Sequence, residues 1–199
     1  MKKFIMCCPM QTVHKVIYKT NGNEKLNYDK ETGYPMLTMM NGYIEDGEKV
    51  EVILVQPEYQ NCYDNTEEIK KEIAELALSK NFSYEIKIVS TPYSETIDTQ
   101  LKRFSDTINL INDNDTLFIC NTYGSKPTPI IQTMVANYAY RTLDNVTIGC
   151  IIYGQFDHTT KESTVYDITA LFHMDEIVNN LAKLKIKDPS QKVRQILDL

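Results

Sequence analysis

The chain has 199 residues, of which 42% are hydrophobic and 24% charged, and its formal net charge at pH 7 is -6. This acidic balance argues against a general affinity for duplex nucleic acid, because phosphate binding depends on a surplus of Lys and Arg. No run of about 18 apolar residues exists to span a bilayer, and residues 1–6 are too short for the apolar core of a signal peptide. We therefore expect a cytoplasmic protein with one main domain.

The first predicted strand is the apolar run of residues 3–8, which suits a strand covered on both faces, as in a parallel sheet. An Asn-Gly pair, Asn21 and Gly22, then lies between two β-prone segments, residues 13–18 and 26–28. Both residues of such a turn take positive φ, and Asn-Gly is therefore a strong hairpin signal. We expect a β-hairpin after the first strand.

Strand and helix patterns alternate along the rest of the chain. The further predicted strands are residues 50–55, 84–89, 116–120, 146–152 and 164–168. The predicted helices are residues 36–44, a helix capped at Asp64, Asn65 or Thr66, residues 97–111, residues 129–143 and residues 174–184. This alternation predicts an α/β, Rossmann-like fold, a mostly parallel sheet with helices on both faces.

Two of these helices carry apolar residues at helical spacing, which we interpret as the faces that pack against the sheet. In residues 97–111 they are Ile97, Leu101, Phe104, Ile108 and Ile111. In residues 129–143 they are Ile130, Ile131, Met134, Val135 and Tyr138.

The cysteines and histidines show no spacing typical of metal sites. They are Cys7, Cys8, Cys62, Cys120 and Cys150, and His14, His158 and His173. Most of the cysteines fall inside apolar runs, where a free thiol behaves as a small hydrophobe. We interpret them as reduced core residues and expect neither a metal nor a cofactor.

In open α/β sheets, ligands bind outside the carboxyl ends of the strands, where the strand order reverses. Three segments of this chain follow such ends, and we predict that they bind the ligand. They are Pro9, Met10, Gln11 and Thr12; Asn121, Thr122, Tyr123, Gly124, Ser125 and Lys126; and Gly154, Gln155 and Phe156.

The central segment is the richest in groups that suit a phosphate. Gly124 lets the backbone approach a ligand, Thr122 and Ser125 supply hydroxyls, and Lys126 adds a cation near a helix N-terminus. An ordinary strand-to-helix turn explains the same residues equally well. No GxGxxG follows the first strand and no GxxxxGK[ST] is present, which disfavours dinucleotide and P-loop sites.

Around this segment the chain resembles the CRISPR-associated Rossmann-fold (CARF) domains. One branch of that family has D-x-T-H-G-F-R-x-x-P after the fourth strand, a Y-G-A-like end to the next strand, and a later D-L-T. The matching residues are Thr122, Gly124 and Pro129, then Tyr153 and Gly154, then Asp167 and Thr169. The family's Asp, His, Phe and Arg are replaced by Cys120, Tyr123, Ser125 and Lys126. The resemblance covers residues 3–184.

The resemblance implies a homodimer in which two copies of residues 9–12 and 122–126 hold one cyclic oligoadenylate, the messenger of type III CRISPR interference. Lys126 would contact phosphate, and Thr122, Ser125 and the Gly124 amide would donate hydrogen bonds. Gln11 and Gln155 would read adenine or ribose edges. Tyr123 either stacks on a base or packs against the neighbouring helix.

Residues 1–184 are thus expected to form a CARF-like ligand-sensing domain. Residues 185–199 are expected to be a linker or C-terminal helix, leading to an effector domain that this sequence does not contain, unless the domain acts alone.

Three functions follow from these observations. The first is an allosteric, nucleotide-binding sensor for cyclic oligoadenylate, with cyclic tetra-adenylate as the favoured ring. The second is a ring nuclease that cuts the same ligand without metal, by aligning a ribose 2′-hydroxyl with the adjacent phosphate. Lys126 and Tyr123 would then be catalytic, with Gln11 or His14 nearby. The third is a flavodoxin-like nucleotide-binding protein unrelated to CRISPR.

Overall fold

The first strand is an interior strand of the sheet and is buried on both faces, as its continuous apolar run predicted. In a computed structural model that describes residues 1–157 and 159–197, seven strands form one sheet. They are β1 (Lys2–Cys7), β2 (Tyr18–Asn21), β3 (Lys49–Pro57), β4 (Ser83–Thr91), β5 (Thr116–Cys120), β6 (Thr147–Phe156) and β7 (Ser163–Asp167). Their order across the sheet is β2-β7-β6-β5-β1-β3-β4, and only β6 and β7 pair antiparallel. The predicted α/β fold with a mostly parallel sheet is confirmed.

Six helices accompany the strands in the described residues. They are α1 (Met36–Tyr43), α2 (Gln60–Lys80), α3 (Ile97–Ile108), α4 (Thr128–Thr142), α5 (Thr169–Lys183) and α6 (Pro189–Leu197). Side chains of α1 and α2 share one hydrophobic core with alternate residues of β1, such as Phe4 and Met6. The intervening β1 residue Ile5 is equally buried, since α3 and α4 cover the other face of the sheet.

The chain divides into two compact units, Met1–Asp167 and Ile168–Leu199. The first contains the whole sheet and α1 to α4. The second contains α5 and α6, between which Val178, Leu181 and Val193 line an apolar groove. The functional division expected at residue 184 stays a prediction. His158 lies outside the described residues.

The predicted β-hairpin at Asn21 and Gly22 is wrong. β2 ends at Asn21 and pairs in parallel with β7, and residues Glu24–Leu26 form a short 3-10 helix. Asn23 begins that helix by accepting a hydrogen bond from the Lys25 N–H. Joining the edge of a seven-stranded sheet satisfies the backbone better than an isolated hairpin, which is marginal in water.

The predicted start of α2 is also wrong. The helix begins at Gln60, and Asn65 and Thr66, proposed as caps, are buried on its inner face. Their polar atoms are satisfied there by neighbouring backbone and side chains rather than by a helix end.

Two of the five apolar residues predicted to face the sheet, Ile97 and Leu101, do not, whereas the other three are half-buried or buried. Ile97 and Leu101 are 65% and 55% exposed, whereas Thr99, Arg103 and Thr107 are buried. The buried polar residues tolerate this position because they are hydrogen-bonded, Arg103 to Thr91 and Thr107 to the Arg103 carbonyl.

On α4, Ile131 and Val135 point inward as predicted, but Ile130, Met134 and Tyr138 are exposed. Helices α3 and α4 lie side by side, with the rings of Phe104 and Tyr138 6.1 Å apart. The two helices thus present one exposed apolar surface, the α3–α4 face. It consists of the exposed Ile97, Leu101, Ile130, Met134 and Tyr138 and the half-buried Phe104.

Candidate functional site

The candidate site lies where the strand order reverses. From β1 the chain moves to β3 and β4 on one side of the sheet, and then to β5 and β6 on the other. The carboxyl ends of β1 and β5 are therefore adjacent, and the loops that follow them border one crevice. Residues 9–12 follow β1 and residues 121–127 follow β5.

A cleft of about 470 Å³ occupies this crevice, and we call it the strand-end cleft. It contains several of the predicted ligand-binding residues, namely Gln11, Thr12, Thr122, Tyr123, Gly154 and Phe156. Val13, His14, Val16 and Tyr18 complete the lining. The structure therefore brings all three predicted segments to one cavity.

Thr122 joins the turn after β5 to the end of β6. Its hydroxyl oxygen accepts a hydrogen bond from the Gly154 N–H at 2.8 Å and lies 3.2 Å from the Cys120 sulfur. A Cβ on residue 154 would come within 2.4 Å of the Pro35 ring, so only glycine fits there. Thr122 and Gly154 thus form the rigid floor of the cleft.

Gly124 and Ser125 wind tightly onto the start of α4. Gly124 has φ of +111°, and a Cβ there would lie 2.6 Å from the Thr128 hydroxyl. Ser125 Oγ lies 3.2 Å from the same hydroxyl. At the start of α4, Pro129 has no N–H, and the N–H groups of Thr128 and Ile131 donate to the Ser125 and Pro127 carbonyls. Among the described residues, the N–H groups of Ser125, Lys126 and Ile130 have no hydrogen-bond partner, and these are the backbone donors that an anion could use.

Lys126 is exposed beside these amides. It forms no ion pair with any residue in the ranges 1–157 and 159–197. An ammonium next to unpaired backbone donors is suited to a phosphate.

Tyr123 lines the cleft, but its hydroxyl is already engaged. It donates a hydrogen bond to the Gly33 carbonyl at 2.6 Å, and its ring packs against the hydrophobic core. Burial raises the pKa of this phenol well above its usual range. This arrangement favours the packing role that the sequence left open, and it disfavours Tyr123 as a proton acceptor.

Helix α2 holds the loop after β1. The Asn65 side-chain amide donates to the carbonyls of Pro9 and Gln11, both at 2.9 Å. Asn61 donates to the Met10 carbonyl at 3.1 Å. Sequence reasoning treated Asn65 only as a possible cap and missed this contact, because nothing local links α2 to a loop more than fifty residues earlier.

The remaining predicted residues, Gly124 and Lys126 among them, do not line the strand-end cleft. Pro9 and Asn121 are buried, and Gln155 is exposed on β6. Met10 and Ser125 border a second cavity of about 320 Å³ with Tyr93, Ser94 and Glu95, which we call the tyrosine pocket. Residues 92–96 follow the carboxyl end of β4. Since ligands in open α/β sheets bind at such strand ends, these residues also qualify as candidates.

A third cavity, of about 290 Å³, lies against α2 and is acidic. Asp64, Glu68 and Glu72 line it, and Lys15, its one cationic lining residue, is paired with Glu72 at 3.1 Å. Carboxylates repel phosphate, so this cavity is a poor site for an anionic ligand.

The cysteines are free and buried, as predicted. Burial raises the pKa of Cys8 to about 12 and that of Cys120 to about 11, so both thiols stay protonated at neutral pH. Within the described ranges, no cluster of His, Cys, Asp or Glu side chains is arranged to hold a metal ion, and no helix is long and apolar enough to cross a bilayer.

No protein-family model matches this chain, and no curated protein matches it either. The fold and the cleft are therefore the basis for assigning a function.

Proposed function

We propose that this protein is a cytoplasmic sensor that binds a cyclic oligoadenylate, cyclic tetra-adenylate in the first instance, and controls an effector in type III CRISPR defence. The observation that carries the proposal is the Thr122–Lys126 turn at the reversal of strand order. There the exposed Lys126 and unpaired backbone N–H groups belong to the same turn as Thr122 and Tyr123, which line a cleft of about 470 Å³. Phosphates would bind at the turn, and a base or ribose would enter the cleft.

The α3–α4 face supports a homodimer as the binding form. Ile97 begins α3 and Ile130 lies in the first turn of α4, so the face borders the carboxyl end of the sheet. Contiguous exposed apolar surfaces of this kind are usually interaction sites. A two-fold contact through this face would bring two copies of the Thr122–Lys126 turn to one ligand with matching symmetry.

The binding proposal is tested by calorimetry with cyclic tetra-adenylate, cyclic hexa-adenylate, AMP and ATP. We expect a ring to bind more tightly than either mononucleotide, and Lys126→Ala to weaken ring binding at least tenfold, about 1.4 kcal/mol. Lys49→Ala is the matched control, because Lys49 is exposed at the opposite, amino end of β3. Binding of neither ring, or preference for a mononucleotide, would overturn the proposal in favour of an unrelated nucleotide-binding protein.

The dimer is tested by sedimentation. Leu101→Glu and Met134→Glu each place a charge in the α3–α4 face and should convert a dimer to a monomer. Leu78→Glu changes a more exposed leucine on α2, outside the α3–α4 face, and should leave the dimer intact. A wild-type monomer at high concentration with bound ring would show that the two-fold arrangement is wrong.

The ring nuclease is retained as a second candidate because His14 lines the cleft and supplies an ionisable side chain there. Incubating cyclic tetra-adenylate with excess protein and following linear products separates the two functions. Cleavage that is lost in His14→Ala would establish the nuclease. Intact ring after long incubation would leave the sensor.

A further inference from the structure

The tyrosine pocket contains an aromatic surface beside the proposed ligand site. Tyr93 is 58% exposed, and its ring stacks on Tyr59 with centroids 4.6 Å apart and planes inclined by 21°. Backing by a second ring holds Tyr93 in place while leaving much of it open to a ligand. Aromatic side chains presented in this way bind nucleobases by stacking.

The carboxylate of Glu95 in the same pocket is held by a buried arginine. Arg103 is only 2% exposed, and one of its terminal nitrogens contacts the two Glu95 carboxylate oxygens at 3.1 and 3.2 Å. The same guanidinium donates to Thr91 Oγ and to the Ser94 carbonyl. The buried Arg103 therefore holds the Ser94 carbonyl and the Glu95 carboxylate in place.

The charge of the pocket indicates which part of a ligand it accepts. Glu95 is its charged lining residue, and Arg103 lies buried behind the carboxylate rather than in the lining. A phosphate would be repelled here. A carboxylate has about four acceptor positions, so Glu95 can still accept from a donor such as the exocyclic amino group of adenine.

One turn borders both cavities. Ser125 lines the tyrosine pocket, and Thr122 and Tyr123 line the strand-end cleft. A ligand whose phosphate binds this turn can therefore place one base on each side of it.

We propose that the tyrosine pocket is a second base subsite, in which adenine stacks on Tyr93 and donates its exocyclic amino group to Glu95. This inference rests on the proposed binding of cyclic oligoadenylate and adds to it a base-selective contact. Arg103 is a positioning residue for Glu95.

The stacking contact is tested with tryptophan, which the natural chain lacks. Tyr93→Trp places the only tryptophan of the variant in the pocket, and its emission under selective excitation should be quenched when cyclic tetra-adenylate binds. Tyr63→Trp, at another exposed tyrosine outside the lining, should change little. Tyr93→Ala should weaken ring binding about tenfold, and Tyr93→Phe, which keeps the aromatic ring, should recover most of that loss.

Base selection is tested with a tetranucleotide ring in which hypoxanthine replaces adenine. Hypoxanthine presents a carbonyl oxygen in place of the amino group, so Glu95 should repel it. Glu95→Gln keeps the shape of the side chain but adds a donor, and the preference for adenine should fall several-fold relative to wild type.

The outcomes separate the two proposals. If wild type binds cyclic tetra-adenylate but Tyr93→Trp is not quenched and Tyr93→Ala binds normally, the subsite is wrong and the sensor stands. The subsite is equally wrong if Glu95→Gln leaves the adenine preference unchanged. If the wild-type protein binds no ring at all, both proposals are overturned.

Discussion

The amino and carboxyl ends of the sheet differ in the burial and ion pairing of their lysines. At the amino end Lys3 is only 3% exposed and contacts Glu51 at 2.9 Å and Asp115 at 3.3 Å. At the carboxyl end Lys126 is exposed and has no ion-pair partner in the described chain. At the amino end the buried charges are thus paired with one another, whereas at the carboxyl end the Lys126 ammonium is exposed to solvent. The difference shows that a lysine's surroundings, rather than its chemistry, decide whether it is buried in ion pairs or left exposed.

Alkaline pH should lower the free energy of unfolding more than any substitution discussed below. It should act through two thiols near the carboxyl ends of β1 and β5. Cys8 and Cys120 have pKa values raised by burial from 9.0 to about 12 and about 11. Their neutral forms are favoured in the fold, so their contribution to stability is complete below pH 9 and is lost as the pH rises toward the folded values. Denaturant titrations should give a constant free energy of unfolding from pH 7 to 8 and a fall of several kcal/mol by pH 11.

Cys120→Ala provides the control for this prediction, because it removes one titrating thiol and should make the fall shallower. A free energy of unfolding that stays flat through pH 11 would contradict the assignment of these thiols as buried and protonated.

Lys3→Met should have the next largest effect. It leaves Glu51 with an uncompensated buried charge and should lower the free energy of unfolding by about 3–5 kcal/mol. Lys126→Met is the matched change at the other end and should shift that free energy by less than about 0.5 kcal/mol. Urea denaturation of both variants measures the contrast. Equal effects would mean that the two ends do not differ in how they hold their lysines.

Asn65→Ala should loosen the loop after β1. It removes the donors to Pro9 and Gln11 and should cost about 2 kcal/mol of stability, within the range for unsatisfied buried groups. Hydrogen exchange of residues 10–12 should quicken. Asn61→Ala, which loses one such bond to Met10, should have a smaller effect on both measurements. Unchanged exchange in Asn65→Ala would show that the loop is held by other contacts.

Thr122→Val should have the smallest effect. The valine cannot accept from the Gly154 N–H, and the free energy of unfolding should fall by about 1 kcal/mol. Thr122→Ser keeps the hydroxyl and should retain most of the stability, as thermal unfolding would measure. If the serine variant is the less stable of the two, the methyl group and not the hydrogen bond anchors the turn.

Local patterns predicted the alternation of elements well but failed where distant partners competed. The Asn21-Gly22 pair signals a hairpin, yet β2 pairs with β7, more than 140 residues later. The apolar spacing of α3 identified an apolar stripe correctly. Its first residues, Ile97 and Leu101, are nevertheless exposed, and the buried side of the helix carries Arg103. A periodic pattern records which side of a helix is apolar, but not what covers it.

The candidate site was predicted in the same uneven way. The loops after β1, β5 and β6 were identified from strand ends alone, and the structure brings them to one cleft. The contact of Asn65 with the loop after β1 was not predicted, because the two are distant in the chain. The pocket lined by Tyr93 and Glu95 was not predicted either, because the carboxyl end of β4 was not considered.

The sequence by itself determined the α/β class, the burial of the first strand on both faces and the loops that border the crevice. These features follow from short-range periodicity and from a general property of parallel sheets. Only the tertiary structure decided that Tyr123 is held by Gly33, that Lys126 stays unpaired while Lys3 is buried, and that the α3–α4 face is open. Those outcomes depend on which distant groups meet, because burial and hydrogen bonding are set by packing rather than by neighbours in the chain.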